Sequence, residues 1–207
     1  MRDYIADSSN NAKKNTREKL IYGDKLVFLK DQLPYNFDLQ YVLDMIENLI
    51  PAKDGALYVT NDQDSENDMI DDLIHEIAHA IEEKYGNLIY SDGKIEREFL
   101  NKRQSLWELL EREGYDPPQK KFYNTEYDKY FDHYLYNIVG YPLLENLIVG
   151  LFYSPYAITS INEYFANGFE NYFLRDKAYL KNISPALYNK INDIMDSLED
   201  NPNEMGV

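Results

Sequence analysis

Between Asp38 and Pro51, the residues Leu39, Val42, Leu43, Ile46, Leu49 and Ile50 recur at intervals of one, three and four. That period predicts an amphipathic helix capped by Asp38 and ended by Pro51. Met69, Leu73, Ile74, Ile77, Ala80 and Ile81 carry the same period. An acidic lead from Asp62 to Asp72 suits the N-terminal end of that helix, and Gly86 is its expected stop. A third stripe, Phe99, Leu106, Leu109 and Leu110, predicts a helix over 94–113, ahead of the break at Asp116-Pro117-Pro118. Ser160 can cap a fourth helix through about Leu174, and Ser184-Pro185 can open a final one. Two short runs suit strands instead: Lys25–Leu29 and Gly55–Thr60, rich in β-branched and aromatic residues. With a helix between them they read as parallel neighbours, Gly55–Thr60 at the edge.

The expected fold class is α+β: a mostly helical domain with a small sheet beside the 69–81 helix. Residues 1–20 read as a polar tail, 21–198 as one domain and 199–207 as a disordered end. Within the domain, 115–155 is rich in tyrosine and then strongly apolar, and predicts one or two helices, the second of them, over 143–152, buried.

Charge narrows the function classes. Acids outnumber bases 37 to 21, a formal charge of −16. That field opposes a phosphate backbone or an anionic membrane surface, so no nucleic-acid or membrane partner is expected. The first twenty residues hold no apolar run that could serve as a signal-peptide core, and no segment approaches the roughly 20 apolar residues of a membrane span. The expectation is a soluble, cytoplasmic protein. With 44% hydrophobic and 14% aromatic residues, the chain can still bury a core. It has no cysteine, which leaves His, Asp and Glu as the side chains able to hold a metal.

Of three histidines, two stand four apart in His75-Glu76-Ile77-Ala78-His79, an HExxH pattern inside a predicted helix. The i, i+4 spacing stacks both imidazoles on one face, one turn apart, where both nitrogens can reach one ion. Glu76 points to the side of that ion and can act as general base toward a metal-bound water. A chance match is on the order of one in a few hundred from residue frequencies. A third ligand is needed, and His133, an Asp or a Glu can supply it. Glu163 begins a predicted helix whose Phe165, Phe169 and Phe173 would dock it on the core. Asn162 and Asn167 beside it offer carbonyls for a ligating imidazole's N–H. On the helix alone, the favoured reading of Glu163 is a first-turn acid that interacts with the helix dipole.

Four blocks in order, HEIAHAIEEKYG, FLNKRQSLWELLEREG, Tyr156 followed by NEYFANGFENYF, and KNISPALYNKIND, resemble the zinc peptidases that include the catalytic domain of anthrax lethal factor and the Pro-Pro endopeptidases. The resemblance spans about Leu73 to Met195. It implies a zincin-like fold, Zn²⁺ as cofactor, His75, His79 and Glu163 as ligands, Glu76 as base, and Tyr156 as donor to the developing oxyanion. It further implies a polypeptide substrate, and the negative field favours a basic or neutral segment. Two features depart from the pattern. Where the family has an acid four residues after the ligand glutamate, this chain has Asn167, which supports a ligand histidine less strongly. The interval from His79 to Glu163 is also long, and the excess maps to 115–155, a candidate lid or wall over the cleft and equally a packing embellishment or partner-binding surface. The competing expectation is a non-catalytic metal-binding or interaction protein derived from the same fold.

Overall fold

The computed structural model describes residues 66–200, with side chains over 70–197. The expected strands Lys25–Leu29 and Gly55–Thr60, the 38–51 helix and the 1–20 tail lie outside these residues. Among the described residues every regular element is helical and there is no strand, so the α+β expectation is corrected to a helical architecture. The physical reason is visible in the pattern: over 66–200 the apolar residues keep the helical period of 3.6, and no run alternates with period two.

The chain divides into two compact units between Lys84 and Tyr85. The described part of the first is the bulk of α1 (Glu66–Tyr90), which leaves helical backbone values at Tyr85 (φ −113°, ψ 15°). Ile70, Leu73, Ile74, Ile77, Ala78 and Ile81 form its buried face. Each such large apolar side chain contributes about 1.5–3 kcal/mol. The break at Tyr85 falls one residue before the expected stop at Gly86, and helical backbone then resumes as far as Tyr90. Beyond the break Ile89 is fully buried, and the turn at Gly93 (φ 64°) follows, with Gly93 N–H donating to Tyr90 O at 3.0 Å.

The second unit begins where α1 breaks. It continues through α2 (Lys94–Arg112), α3 (Gln119–Phe122), α4 (Lys129–His133), a π-helical turn Tyr134–Val139 and α5 (Tyr141–Leu147). After a 3₁₀ turn at Tyr156–Ile158 come α6 (Ile161–Leu174), α7 (Lys177–Ile183) and α8 (Pro185–Asp200). Helix α6 packs on the 3₁₀ turn, α7 and α2, and α8 packs on α2, α6 and α7. Phe99, Phe152 and Tyr164 form an aromatic knot at the centre, their ring centroids 5.3–6.2 Å apart.

Helix α8 opens at Pro185, as expected, but its side-chain cap differs. The Ser184 hydroxyl accepts from Lys102 Nζ at 2.6 Å. The cap comes from α2, where the Glu98 carboxylate accepts from the backbone N–H of Ala186 at 2.7 Å and of Leu187 at 3.1 Å, and from Tyr164 Oη at 2.9 Å. A carboxylate is the stronger acceptor and its charge suits the positive helix end. The 115–155 region also differs: it is cut into short pieces, and 143–152 is amphipathic. Leu144, Ile148 and Phe152, four apart, are buried, whereas Val149 is 74% exposed. Glycines at 140 and 150, with φ of 88° and 80°, end the helices on either side.

Candidate metal centre

In the first unit, His75 and His79 lie on the buried side of α1, His75 almost wholly enclosed and His79 half-buried. One turn of helix brings their Nε2 atoms to 3.1 Å, with the rings nearly perpendicular at 81°. That separation lies within the span of two metal–nitrogen bonds of about 2.1 Å each. On the far side of the second ring, His79 Nδ1 stands 2.8 Å from Glu82 Oε2. As an acceptor, the carboxylate suits the tautomer that carries its proton on Nδ1 and its lone pair on Nε2, the nitrogen nearer His75. This is the usual support for a metal-binding imidazole. Glu82 is buried, whereas Glu76, next to His75, is half-buried. Glu82 was not singled out from the sequence, although it lies seven residues after His75 and so on the same helix face.

In the second unit, Glu163 sits in the first turn of α6. Its backbone N–H donates to the Ser160 hydroxyl at 3.1 Å, the cap expected from the sequence. Phe165 and Phe169, fully buried, anchor the helix behind it. Tyr156 opens the 3₁₀ turn just ahead, and its carbonyl accepts from Thr159 N at 3.0 Å and Thr159 Oγ1 at 2.8 Å. Asn162 and Glu163 are both half-buried. Asn167 turns its amide within its own helix, donating to Glu170 Oε2 at 3.2 Å. His133 is exposed, its Nδ1 3.0 Å from the Asn137 amide.

The Tyr-rich region contributes near Glu163. Thr125 O accepts from Ile161 N at 2.8 Å, so the segment before α4 is bonded to the first residue of α6. Tyr127 donates to Asp132 Oδ2 at 2.8 Å. Burial, the Asp132 carboxylate and the negative charge of Glu163 together push the Tyr127 hydroxyl up to about 12.

His75, His79 and Glu163 each offer one ligand atom, two imidazole nitrogens and a carboxylate oxygen. No helix among the described residues is long and apolar enough to cross a membrane. No protein-family model, curated protein or solved structure matches this chain.

Proposed function

We propose that the protein is a zinc-dependent endopeptidase in which His75, His79 and Glu163 hold the ion. The observation that carries the reading is the paired imidazoles of α1, their Nε2 atoms 3.1 Å apart with Glu82 on the outer nitrogen of His79. Two neutral histidines need no buried carboxylate to pack, whereas a ligand pair gains basicity and a fixed tautomer from one. Zinc, when bound, acidifies a water molecule and polarises a carbonyl. Glu76 takes the proton of the attacking water and returns it to the leaving amine. Tyr156 donates its phenolic hydrogen to the oxygen on which negative charge develops. The substrate is a polypeptide, and the chain's −16 charge favours a neutral or basic segment.

A second reading has one specific observation in its favour. Asn167 stands where the resembling peptidases carry an acid, and its amide is engaged by Glu170. On that reading the protein binds metal without catalysis. Metal analysis combined with cleavage of an unbiased peptide library separates the two. The expected result is one zinc per chain and cleavage by the wild type, with Glu76→Gln keeping zinc and losing about 10²–10⁴ in rate. Zinc in both proteins with cleavage by neither establishes the non-catalytic reading. Loss of zinc in His133→Ala but not in Glu163→Ala overturns the ligand assignment.

A further inference from the structure

Arg103 is 0% exposed, and among the described residues its hydrogen-bond partners are all backbone carbonyls. Nε donates to Ile158 O at 2.8 Å and Nη2 to the same oxygen and to Thr159 O at 2.8 Å. Nη1 donates to Asn124 O and to Lys121 O at 3.3 Å. The rings of Phe99 and Phe131 lie 4.5 and 4.6 Å from Cζ and confine the guanidinium. Burial pushes its pKa down to about 9, which leaves it charged at neutral pH. Enclosing a cation with no carboxylate costs several kcal/mol unless its N–H groups find acceptors. Here they do, and the acceptors lie on two particular segments.

One segment joins Tyr156 to Glu163. Ile158 and Thr159 lie between Tyr156 and Ser160, whose hydroxyl accepts the Glu163 N–H. The other is 121–124, whose next residue, Thr125, accepts the N–H of Ile161. The planar fork thus closes a ring of hydrogen bonds around the start of α6, with four carbonyls at set positions on its edges. Lysine could supply the charge but not the fork.

We propose that Arg103 is a positioning residue that fixes the Tyr156 turn against the first turn of α6, so that the Tyr156 phenol and the Glu163 carboxylate keep one spacing. This inference rests on the endopeptidase reading for the roles of those two side chains. It assigns a task to the 119–125 part of the Tyr-rich region, which shares the guanidinium with the turn.

The test compares the wild type with Arg103→Lys, Arg103→Met and Leu180→Ala. Leu180 lies in α7 and is fully buried, but makes none of these bonds, so its truncation controls for lost stability. Amide hydrogen exchange at Thr159 and Ile161 is read together with kcat and KM on a library-derived peptide, and with zinc affinity by chelator competition. In Arg103→Lys, exchange at these two amides rises about tenfold, and zinc affinity falls about tenfold. Sub-ångström misplacement lowers kcat about ten- to a hundredfold while KM stays within about twofold. Leu180→Ala loses comparable stability with kcat within about twofold of wild type. Arg103→Met loses more than Arg103→Lys in each readout, and if it fails to fold, Arg103→Lys decides. Unchanged exchange at Thr159 and Ile161 in Arg103→Lys, or a kcat no lower than in Leu180→Ala, overturns the proposal. Faster exchange in a chain that neither binds zinc nor cuts peptide supports Arg103's hold on the turn and overturns the metal reading instead.

Discussion

Glu82 and Glu83 are neighbours in the chain and opposites in setting: the first is buried against His79 Nδ1, the second is exposed. The difference follows from helix geometry, because position 82 continues the face of 75 and 79 while position 83 is turned about 100° away. On the proposed function, Glu82→Ala lowers zinc affinity about 10–100-fold. Glu83→Ala changes it less than about twofold, since it removes only an exposed charge. Competition with a chromophoric chelator measures both, and equal effects would sink the special role of Glu82. The pair His75 and His79 was legible from spacing alone. Tyr156 was not, because one tyrosine among 20 carries no local mark of its own. What distinguishes its turn is the buried Arg103, 53 positions earlier.

At the level of elements, local rules succeeded where caps and apolar period agree. The Ser160 cap and the run to Leu174 match α6, and the 94–113 stripe matches α2 within a residue. They fall short in 115–155, where the strongly apolar run 143–152 predicts a buried helix but only Leu144, Ile148 and Phe152 of that run are enclosed. A usable signal is present there in Asp128, which caps α4, as Asp176 caps α7 further along the chain, each accepting two backbone N–H groups. The contact of α6 with α8 depends on a glycine that helix propensity would replace. Gly168→Ala would gain about 1 kcal/mol from propensity. A Cβ there would lie 2.9 Å from Leu187 Cγ and closer still to its Cδ2, and Leu187 is buried. The expected net result is a loss of about 1–3 kcal/mol from overpacking, read from urea midpoints. Adding Leu187→Ala should cost less than the sum of the two single changes. Strict additivity would show that the clash relaxes elsewhere.

At the scale of the molecule, stability should respond to alkaline pH in two opposed ways. Burial lowers Lys102 from 10.5 to about 8, with the charge of Glu98 opposing the shift. Between those values the unfolded chain holds a proton the folded chain has released, so stability rises with pH in that window. Burial raises Tyr134 and Tyr153 from 10.0 to about 12, and Tyr164 well above its usual value. Above pH 10 the unfolded tyrosines ionise first, and stability falls. The midpoint in urea should therefore climb from about pH 8 to a maximum near pH 10 and then drop. Lys102→Met should shrink the climb to the part that Arg103, lowered by burial to about 9, supplies, and keep the drop. On the acid side, the Lys94 N–H and the Lys190 ammonium hold Asp92 at about 2 against a usual 3.8. Its contribution is present above pH 4 and is lost as pH falls toward 2.

The sequence by itself determined the HExxH pair, the periods and lengths of the principal described helices, and the absence of thiolate chemistry. These depend on spacing along one helix or on composition, and both are local. Only the tertiary structure decided that Glu98 and not Ser184 caps α8, that Glu82 supports His79 while Asn167 bonds Glu170, and that Arg103 joins two segments of backbone. Most of these choices are made between groups distant in sequence or among several acceptors within reach. Packing settles them by bringing one partner close enough to offset its desolvation.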